Sequence, residues 1–389
     1  MPGATSEDAR VRGAALLDWA RGRLPEMVEL LREVVAIESP STDPPAVASL
    51  ARRLASELDT SGFATELVPV HGGGPILRAR SAGSGGRPVM LLGHLDTVWP
   101  VGTTAARPVR TAGDRLFGPG SYDMKGGLVV ALFALRALRA RGSAPPLTVF
   151  FTPLEEVDCE PYRSLMEAEM KASRAVLDFE PAWPGGAVKT SRKGSGSFVL
   201  RAHGRASHAG ADLSRGANAV LEIAHQCLAV SRLTDTARGT SANVGVLRGG
   251  LRPNVVPDLA EVEVDVRFPT LEDGRRLEAA LRALAPVNPE VRLSLSGGLH
   301  YPPLERSAAV LGVFEAARAV AAEMGLPLEE VATGGASEAS FAGALGLPTL
   351  DGLGPDGDGA HAEDEHVLIP SLPGRVALAA GLVERLTRG

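Results

Sequence analysis

The chain has 389 residues, of which 44% are hydrophobic, and its 40 basic and 46 acidic side chains give a formal net charge of -6. A chain of this length most often forms two domains, which excludes a single small module. The acidic balance, without a cluster of Lys and Arg, excludes a surface for nucleic acid or for an anionic membrane. We therefore expect a small-molecule or protein partner.

The sequence offers no segment that would cross a membrane or direct export. Its longest stretch without a charged residue, 142–154, is shorter than the roughly 20 apolar residues of a spanning helix. Charged side chains also interrupt residues 1–19, so a secretion signal is not expected and a cytoplasmic location follows by default. Cys159 and Cys227 are the only cysteines, too few for a disulfide scaffold or a cysteine-built zinc site. Any metal must therefore be held by oxygen and imidazole.

The first part of the chain alternates predicted helices with short apolar strands. Apolar spacing predicts a helix over 25–37. Asp43, followed by Pro44 and Pro45, is typical of an N-cap that opens a second helix ending at Gly62. The remaining predicted elements are strands at 88–93, 147–151 and 175–179 and a helix at 124–141. Near-continuous apolar strands between helices indicate a sheet covered on both faces and an α/β layer architecture.

The pattern changes after Pro181. Residues 195–201 and 261–268 alternate strictly between apolar and polar side chains, which predicts strands with one dry and one wet face. A helix is predicted beside them at about 217–231. These elements form a smaller α+β unit within the usual size range of a domain.

Helical patterns return after His300, at 307–324 and 371–386, on either side of a short apolar run at 348–350. The first domain therefore resumes after the smaller unit. The predicted layout is a discontinuous first domain at 1–186 and 299–389 and an inserted domain at 187–298.

Four short segments concentrate histidine and acidic residues where predicted strands of the first domain end. They carry His94 with Asp96, Asp123, Glu155 with Glu156, and Glu180 after Asp178. Taken singly, such residues are most often solvated surface acids, and Asp123 is equally consistent with a helix N-cap. Ligands of open α/β sheets bind outside the carboxyl ends of the strands, so the shared position favours a binding site.

Two further histidines, His208 and His361, stand apart from these segments, and each alone is typical of an exposed loop. With those segments, however, they complete an ordered series: Gly-His-Leu-Asp-Thr-Val at 93–98, Gly-Pro-Gly-Ser-Tyr-Asp-Met-Lys-Gly-Gly at 118–127, Glu155-Glu156, Phe-Glu-Pro at 179–181, Gly-Arg-Ala-Ser-His-Ala-Gly at 204–210 and Ala-His at 360–361. The series spans nearly the whole chain. It resembles the dinuclear zinc exopeptidase and deacylase family (clan MH) of bacterial glutamate carboxypeptidase, aminoacylase, acetylornithine deacetylase and succinyl-diaminopimelate desuccinylase.

The resemblance implies a catalytic domain in which a mixed sheet is sandwiched by helices, with the inserted α+β unit as a lid and dimerisation domain of a homodimer. It also implies two Zn2+ ions, with Co2+ or Mn2+ as substitutes, and oxygen and nitrogen ligands suit these metals. His94 and Glu180 would hold one ion, and Glu156 and His361 the other. Asp123 would bridge the two.

The resemblance also assigns three roles in catalysis. Asp96 would orient His94 as a carboxylate behind the ligand. Glu155 would be the general base that takes a proton from water and returns it to the leaving amine. His208 would come from the small domain, in the family often across a dimer interface, to stabilise the tetrahedral oxyanion.

Substrate contacts are implied at four positions. Asn254 and Arg267 match family segments that contact substrate, although Arg267 is equally consistent with one of several charges on the wet face of its strand. Gly335 and Ser337 lie in a Gly-rich loop whose usual Asp is replaced by Glu338. That replacement changes the expected shape of the pocket.

The sequence thus predicts a metal-dependent amide hydrolase for a small peptide or N-acyl amino acid that bears a carboxylate. We expect a carboxypeptidase of the glutamate carboxypeptidase type, with an N-acyl amino acid deacylase or a non-hydrolytic binding protein on the same scaffold as alternatives. No Gly-x-Ser-x-Gly motif and no Gly-Lys dipeptide occurs, which sets aside a serine hydrolase elbow and a P-loop. The preferred side chain or acyl group and the role of Cys159 stay open.

Overall fold

The computed structural model describes residues 6–82 and 85–388, which divide into two compact units. The first unit comprises the chain up to Thr190, Arg306–Ala332 and the chain from Ser337 onward. The second comprises Ser191–Glu305 and Thr333–Ala336. The first unit is thus discontinuous in sequence, and the segment that interrupts it begins and ends a few residues later than the sequence pattern suggests.

The first unit is built on a six-stranded mixed sheet. Its strands, in spatial order, are Phe63–Val68, Ile76–Ser81, Leu147–Thr152, Val89–His94, Ala175–Asp178 and Thr349–Leu350. The first three strands pair antiparallel with one another. The third strand also pairs with the fourth, and from there to the sixth strand all pairs are parallel. Every residue of the two central strands is buried, as expected for a sheet covered on both faces. The predicted α/β class with a mixed sheet is confirmed.

Helices cover this sheet and supply most of its core. They are Ser6–Arg21, Leu24–Ala36, Pro44–Thr60, Gly126–Ala140, Glu160–Ala172, Ala308–Glu323, Ala339–Ala344 and Leu372–Thr387. A further short helix, Thr103–Ala106, contributes no buried residue. The predicted cap is present, because the Asp43 side chain accepts a hydrogen bond from the Ala46 N–H at 3.1 Å. No helix of the described residues is both long and apolar enough to span a membrane.

The Asp123 loop departs from the sequence prediction. The helix predicted from 124 begins at Gly126, after a separate wide turn at Ser121–Lys125 in which Asp123 has non-helical backbone angles. The residue at the cap position is Lys125, so the interpretation of Asp123 as a helix N-cap is wrong.

A small antiparallel sheet lies beside this loop. Its strands, in spatial order, are Gly357–Asp358, His366–Leu368, Arg115–Phe117 and Arg110–Ala112. The pairing of Phe117 with His366 brings the segment before Asp123 next to the segment that follows His361. Two loops that are far apart in sequence therefore meet in the first unit.

The second unit is an antiparallel sheet with helices packed on its apolar side. Its strands, in spatial order, are Ser241–Gly249, Leu259–Phe268, Gly194–His203 and Arg292–Tyr301. Helices Ala219–Ser231 and Leu271–Arg282 pack against it. A short pair, Ser207–His208 with Val255–Val256, lies outside this sheet. The remaining strands, Val188–Arg192 and Glu330–Thr333, each cross a unit boundary in sequence.

Candidate active site

Three neighbouring parallel strands place the predicted ligands at one edge of the large sheet. Val89–His94 lies between Leu147–Thr152 and Ala175–Asp178, and all three run in the same direction. Their carboxyl ends therefore meet. His94 is the last residue of the middle strand. Glu155 comes three residues after the end of Leu147–Thr152, and Glu180 comes two residues after the end of Ala175–Asp178.

The buried imidazole of His94 presents one nitrogen to its neighbours in sequence and the other to a pair of carboxylates. Nδ1 lies 2.9 Å from the main-chain oxygen of Asp96, an atom that only accepts, so Nδ1 must carry the proton. Nε2 faces the carboxylates of Asp123, 3.2 Å away, and Glu180, 3.4 Å away. Nε2 of a neutral imidazole with its proton on Nδ1 is an acceptor, so either a second proton on Nε2 or a metal ion must lie between it and these carboxylates.

His361 repeats this arrangement from the opposite side of Asp123. Its Nε2 lies 3.2 Å from the Glu156 carboxylate and 3.4 Å from Asp123 Oδ2, whereas His94 faces Asp123 Oδ1. His361 also has a positive φ of 62°, which is uncommon for a non-glycine residue, and residues with such backbone angles cluster at functional sites. Asp123 thus lies between two imidazoles with one oxygen toward each.

Asp96 organises the turn that carries the two glutamates. Its fully buried carboxylate accepts hydrogen bonds from the N–H groups of Glu155 at 3.1 Å and Glu156 at 3.3 Å, and from the Ser41 hydroxyl at 2.6 Å. Its oxygen lies 3.5 Å from His94 Nδ1, farther than its own main-chain carbonyl. The carboxylate therefore holds the glutamate turn more directly than it holds the imidazole.

The excess of acidic groups shifts the imidazoles toward the charged form. Burial opposes charging of His94, but hydrogen bonds to three carboxylates outweigh it and raise its pKa well above the ordinary value. Hydrogen bonds to Asp123 and Glu156 raise the pKa of His361 to about 10. Both shifts show that the cluster attracts positive charge, either as protons or as metal ions.

Glu155 is an acid of this cluster that resists ionisation. Burial raises its pKa well above the usual range, and the neighbouring carboxylates of Glu180 and Glu156 add to the rise against an opposing effect of His94. A carboxylate that readily gains a proton is suited to general acid and base chemistry.

The donor set fits a divalent metal. One ligand atom from each of His94, Asp123 and Glu156 lies within 4.8 Å of the others. Imidazole and carboxylate together are ligands of zinc and related transition metals. Glu180 beside His94 and His361 beside Glu156 add a further donor on each side of Asp123.

Comparison with known proteins agrees with this chemistry. A family model described as peptidase family M20/M25/M40 matches residues 90–385. Carboxypeptidase G2 of Pseudomonas sp. (strain RS-16) is 31% identical over 395 residues, which cover 98% of this chain and 94% of that protein. The chain belongs to peptidase family M20/M25/M40.

This family assignment confirms the resemblance drawn from the motifs and makes the protein a hydrolase of the metallopeptidase type, in a metal-dependent family that commonly uses zinc. A succinyl-diaminopimelate desuccinylase of Xanthomonas oryzae pv. oryzae is 29% identical over 357 residues, covering 86% of this chain and 92% of that protein. The fold is shared with an M20 family metallo-carboxypeptidase from Sulfolobus solfataricus, with a TM-score of 0.75 at 15% identity over 94% of this chain and 100% of that one.

In the second unit of this M20/M25/M40 protein, two of the predicted residues lie side by side. His208 is exposed, and its Nδ1 accepts hydrogen bonds from the N–H groups of Gly210 at 3.1 Å and Ala211 at 3.0 Å. The exposed Asn254 accepts a hydrogen bond from the Ala209 N–H through its main-chain oxygen. Because Nδ1 is an acceptor, the neutral imidazole carries its proton on Nε2 and presents a donor outward.

The other three predicted substrate residues are engaged within their own units. Arg267 makes two hydrogen bonds of 3.0 Å to Asp265 on the exposed face of its strand. The main-chain oxygen of Gly335 accepts from Arg192 at 3.2 Å. Ser337 is fully buried and donates to Asp351 at 2.7 Å. Their roles toward substrate stay predictions, and these contacts lend them no support.

The structure also identifies Glu338, noted in the sequence only as a replacement, as a buried neighbour of the site. Its carboxylate accepts from the Tyr162 hydroxyl at 2.6 Å and from Thr152, the last residue of a central strand, at 2.8 Å. Burial raises its pKa to about 7. The Ser41 hydroxyl behind Asp96 was missed altogether, because a lone serine far away in sequence gives no signal.

Proposed function

We propose that this protein is a carboxypeptidase that hydrolyses the last amide bond of a small substrate and releases a carboxyl-terminal amino acid. The observation that supports this most is the convergence of His94 Nε2, His361 Nε2 and the Asp123 carboxylate in the first unit. Protons or metal ions must neutralise this concentration of carboxylates, and metal ions are the supported choice because the family is metal-dependent.

The ligand roles follow from these contacts. His94 and Glu180 would hold one ion, His361 and Glu156 the other, and the two oxygens of Asp123 would serve one ion each. Two such ions, when bound, supply Lewis acidity that activates water and polarises the scissile carbonyl. Zn2+ is the proposed metal, with Co2+ or Mn2+ as substitutes.

Glu155 is the proposed general base. Its main chain is fixed by Asp96, and burial raises its pKa. It accepts a proton from the attacking water and later donates it to the leaving amine. His208 is the proposed oxyanion donor, because its two backbone partners leave Nε2–H facing outward.

Carboxypeptidase action is favoured over N-acyl amino acid deacylation by the extent of the match. Carboxypeptidase G2 is 31% identical over 98% of this chain, whereas two Xanthomonas desuccinylases are 29% identical over 86% and 93% of it. In both reactions an amide next to a carboxylate is cleaved, so the same site serves either one. A non-hydrolytic binding protein is disfavoured because the proposed base is present together with every proposed ligand.

A homodimer is the proposed assembly. Helix Ala219–Ser231 of the second unit leaves Leu221 and Leu228 exposed, each at 59%, and Leu247 on the adjacent edge strand is 51% exposed. Apolar side chains grouped in this way mark an association surface, and a two-fold axis pairs one patch with its own copy. Sedimentation equilibrium of the purified chain measures the assembly directly.

The deciding experiment is a metal titration of chelator-treated protein with a substrate panel. Zn2+ and Co2+ are added to the protein while hydrolysis of peptides with carboxyl-terminal glutamate, other dipeptides and N-acyl amino acids is followed. We expect activity to rise with metal and to be highest on the peptides with a carboxyl-terminal acidic residue. Highest turnover on N-acyl amino acids would move the assignment to deacylase, and no metal-dependent turnover on any member would favour a binding protein.

A further inference from the structure

A buried carboxylate lies directly beneath the loop that carries Asp123. The Glu365 side chain accepts four hydrogen bonds, and the residue is only 2% exposed. Oε1 accepts from the N–H groups of Tyr122 at 2.9 Å and Asp123 at 3.0 Å. Oε2 accepts from the Gly120 N–H at 2.8 Å and from the Trp99 indole at 2.8 Å.

The main chain around Glu365 is attached to the same loop. The carbonyl oxygen of Glu365 accepts from the Gly118 N–H at 3.3 Å, and the next residue, His366, pairs with Phe117. Glu365 also follows His361 by four residues and donates its own N–H to Ala362. The Glu365 side chain therefore connects the Asp123 loop to the loop that carries His361.

These bonds constrain the position of Asp123 specifically. Backbone N–H groups directed at one carboxylate form charge-assisted bonds, and such bonds are stronger than neutral ones. With the N–H groups of Tyr122 and Asp123 both fixed, the peptide at the root of the Asp123 side chain has little freedom to rotate. Asp123 must keep one oxygen toward His94 and the other toward His361, 3.2 and 3.4 Å away.

We propose that Glu365 is the positioning residue that sets the Asp123 bridge between the two metal sites. It is not proposed as a ligand, because its two oxygens already serve four donors. The inference rests on the proposed two-metal centre and adds a residue outside the ligand set. Replacing the carboxylate by an amide puts an NH2 group against N–H groups, so the Asp123 loop loses its fixed orientation.

The test compares Glu365→Gln with Glu363→Gln by Co2+ titration of chelator-treated protein. Glu363 is exposed and two residues away, so its variant removes the same charge without touching the loop. We expect Glu365→Gln to bind Co2+ roughly 10- to 100-fold more weakly, as for other residues that orient ligands, with an altered visible absorption spectrum. Glu363→Gln should match the wild type in both measurements.

A milder variant keeps the proposal testable if Glu365→Gln does not fold. Trp99→Phe removes one donor from Oε2 and leaves the three backbone bonds, so we expect a loss of Co2+ affinity of about threefold or less. Thermal unfolding of the metal-free proteins, followed by circular dichroism, establishes that the titrations are run on folded chains.

The outcomes separate this inference from the proposed function. If the wild type itself binds no more than one Co2+ per chain, the two-metal proposal fails. If the wild type binds two ions and folded Glu365→Gln binds them with unchanged affinity and spectrum, the positioning role of Glu365 is overturned. If Glu363→Gln loses as much Co2+ affinity as Glu365→Gln, the loss is explained by net charge alone, and the positioning role is likewise overturned.

Discussion

The two units of this protein differ in how completely each fixes the site residues proposed for it. In the first unit, His94, Asp123 and His361 are connected by contacts of 3.2 to 3.4 Å, and buried carboxylates hold the loops behind them. In the second unit, His208 and Asn254 are exposed and Arg267 is bound to a neighbouring acid. The proposed metal ligands therefore all lie in one unit, and residues of the second unit should affect turnover without affecting metal binding.

This difference reflects what each task requires. Metal ligands must be held within tenths of an ångström, and burial with satisfied hydrogen bonds supplies that rigidity. Residues that contact a substrate must stay accessible to it, so they lie at the surface and depend on few local bonds. Substitutions that separate metal binding from turnover are the direct test of this division.

The largest effect is expected from Glu155→Gln. The amide cannot accept a proton from water, so kcat should fall by roughly 10²- to 10⁴-fold. Metal affinity should stay close to that of the wild type, because Glu155 is not a proposed ligand. Steady-state kinetics and Co2+ titration measure the two quantities on the same preparation.

Glu160→Gln is the matched control, because Glu160 is exposed at the start of the next helix. It should leave both kcat and metal affinity unchanged. A Glu155→Gln enzyme with unimpaired turnover would remove Glu155 from its role as the base.

The second unit is tested by His208→Ala. Removal of an oxyanion donor typically lowers kcat by about 10²- to 10³-fold, and we expect that loss here. Because Nδ1 of His208 is engaged by backbone N–H groups of its own unit, Co2+ affinity should not change.

His300→Ala, which removes another exposed histidine of the same unit, serves as the control and should retain wild-type activity. A fall in metal affinity for His208→Ala would break the proposed division between the units. Equal losses of kcat in the two variants would deny His208 a specific role.

Glu338 gives a prediction about stability in the first unit. Burial raises its pKa from 4.5 to about 7, so the folded state binds this proton more tightly than the unfolded state. The contribution of Glu338 to the free energy of unfolding is therefore most favourable at a pH below its pKa in the unfolded state. It is lost as pH rises through its pKa in the folded state. The full shift corresponds to roughly 3 kcal/mol.

Urea unfolding of metal-free wild type and Glu338→Gln at pH 5 and pH 8 measures this contribution. The variant should gain stability relative to the wild type between pH 5 and pH 8, by up to roughly 3 kcal/mol. Glu329→Gln, which changes an exposed acid, should show no such gain. A difference between wild type and Glu338→Gln that is the same at both pH values contradicts the assignment.

Much of the scaffold was predictable because its signals are local. The cap at Asp43 lies beside the prolines that reveal it, and apolar runs mark the central strands. Parallel strands end at one edge, which explains why His94 and Glu180 approach each other across 86 positions in the chain.

The supporting contacts were not predictable in this way. Glu365 reaches the Asp123 loop across 242 positions, and Thr152 reaches Glu338 across 186, with no periodicity that links the partners. The contact between His94 and the carbonyl of Asp96 was also beyond a pattern of side chains, because every residue carries a carbonyl. Such contacts depend on three-dimensional packing and leave no mark in a single sequence.

The smallest effect is expected from Arg267→Gln. If the guanidinium binds the substrate carboxylate, KM should rise while kcat and metal affinity stay constant. Substrate must compete with Asp265, which already receives two hydrogen bonds of 3.0 Å from Arg267, so we expect a rise of only about fivefold. Arg201→Gln is the control: it removes an equally exposed arginine, paired with Glu261, from the adjacent strand. A rise in KM specific to Arg267→Gln would extend the substrate site onto this strand, and equal KM values in the two variants would leave Arg267 as a surface charge.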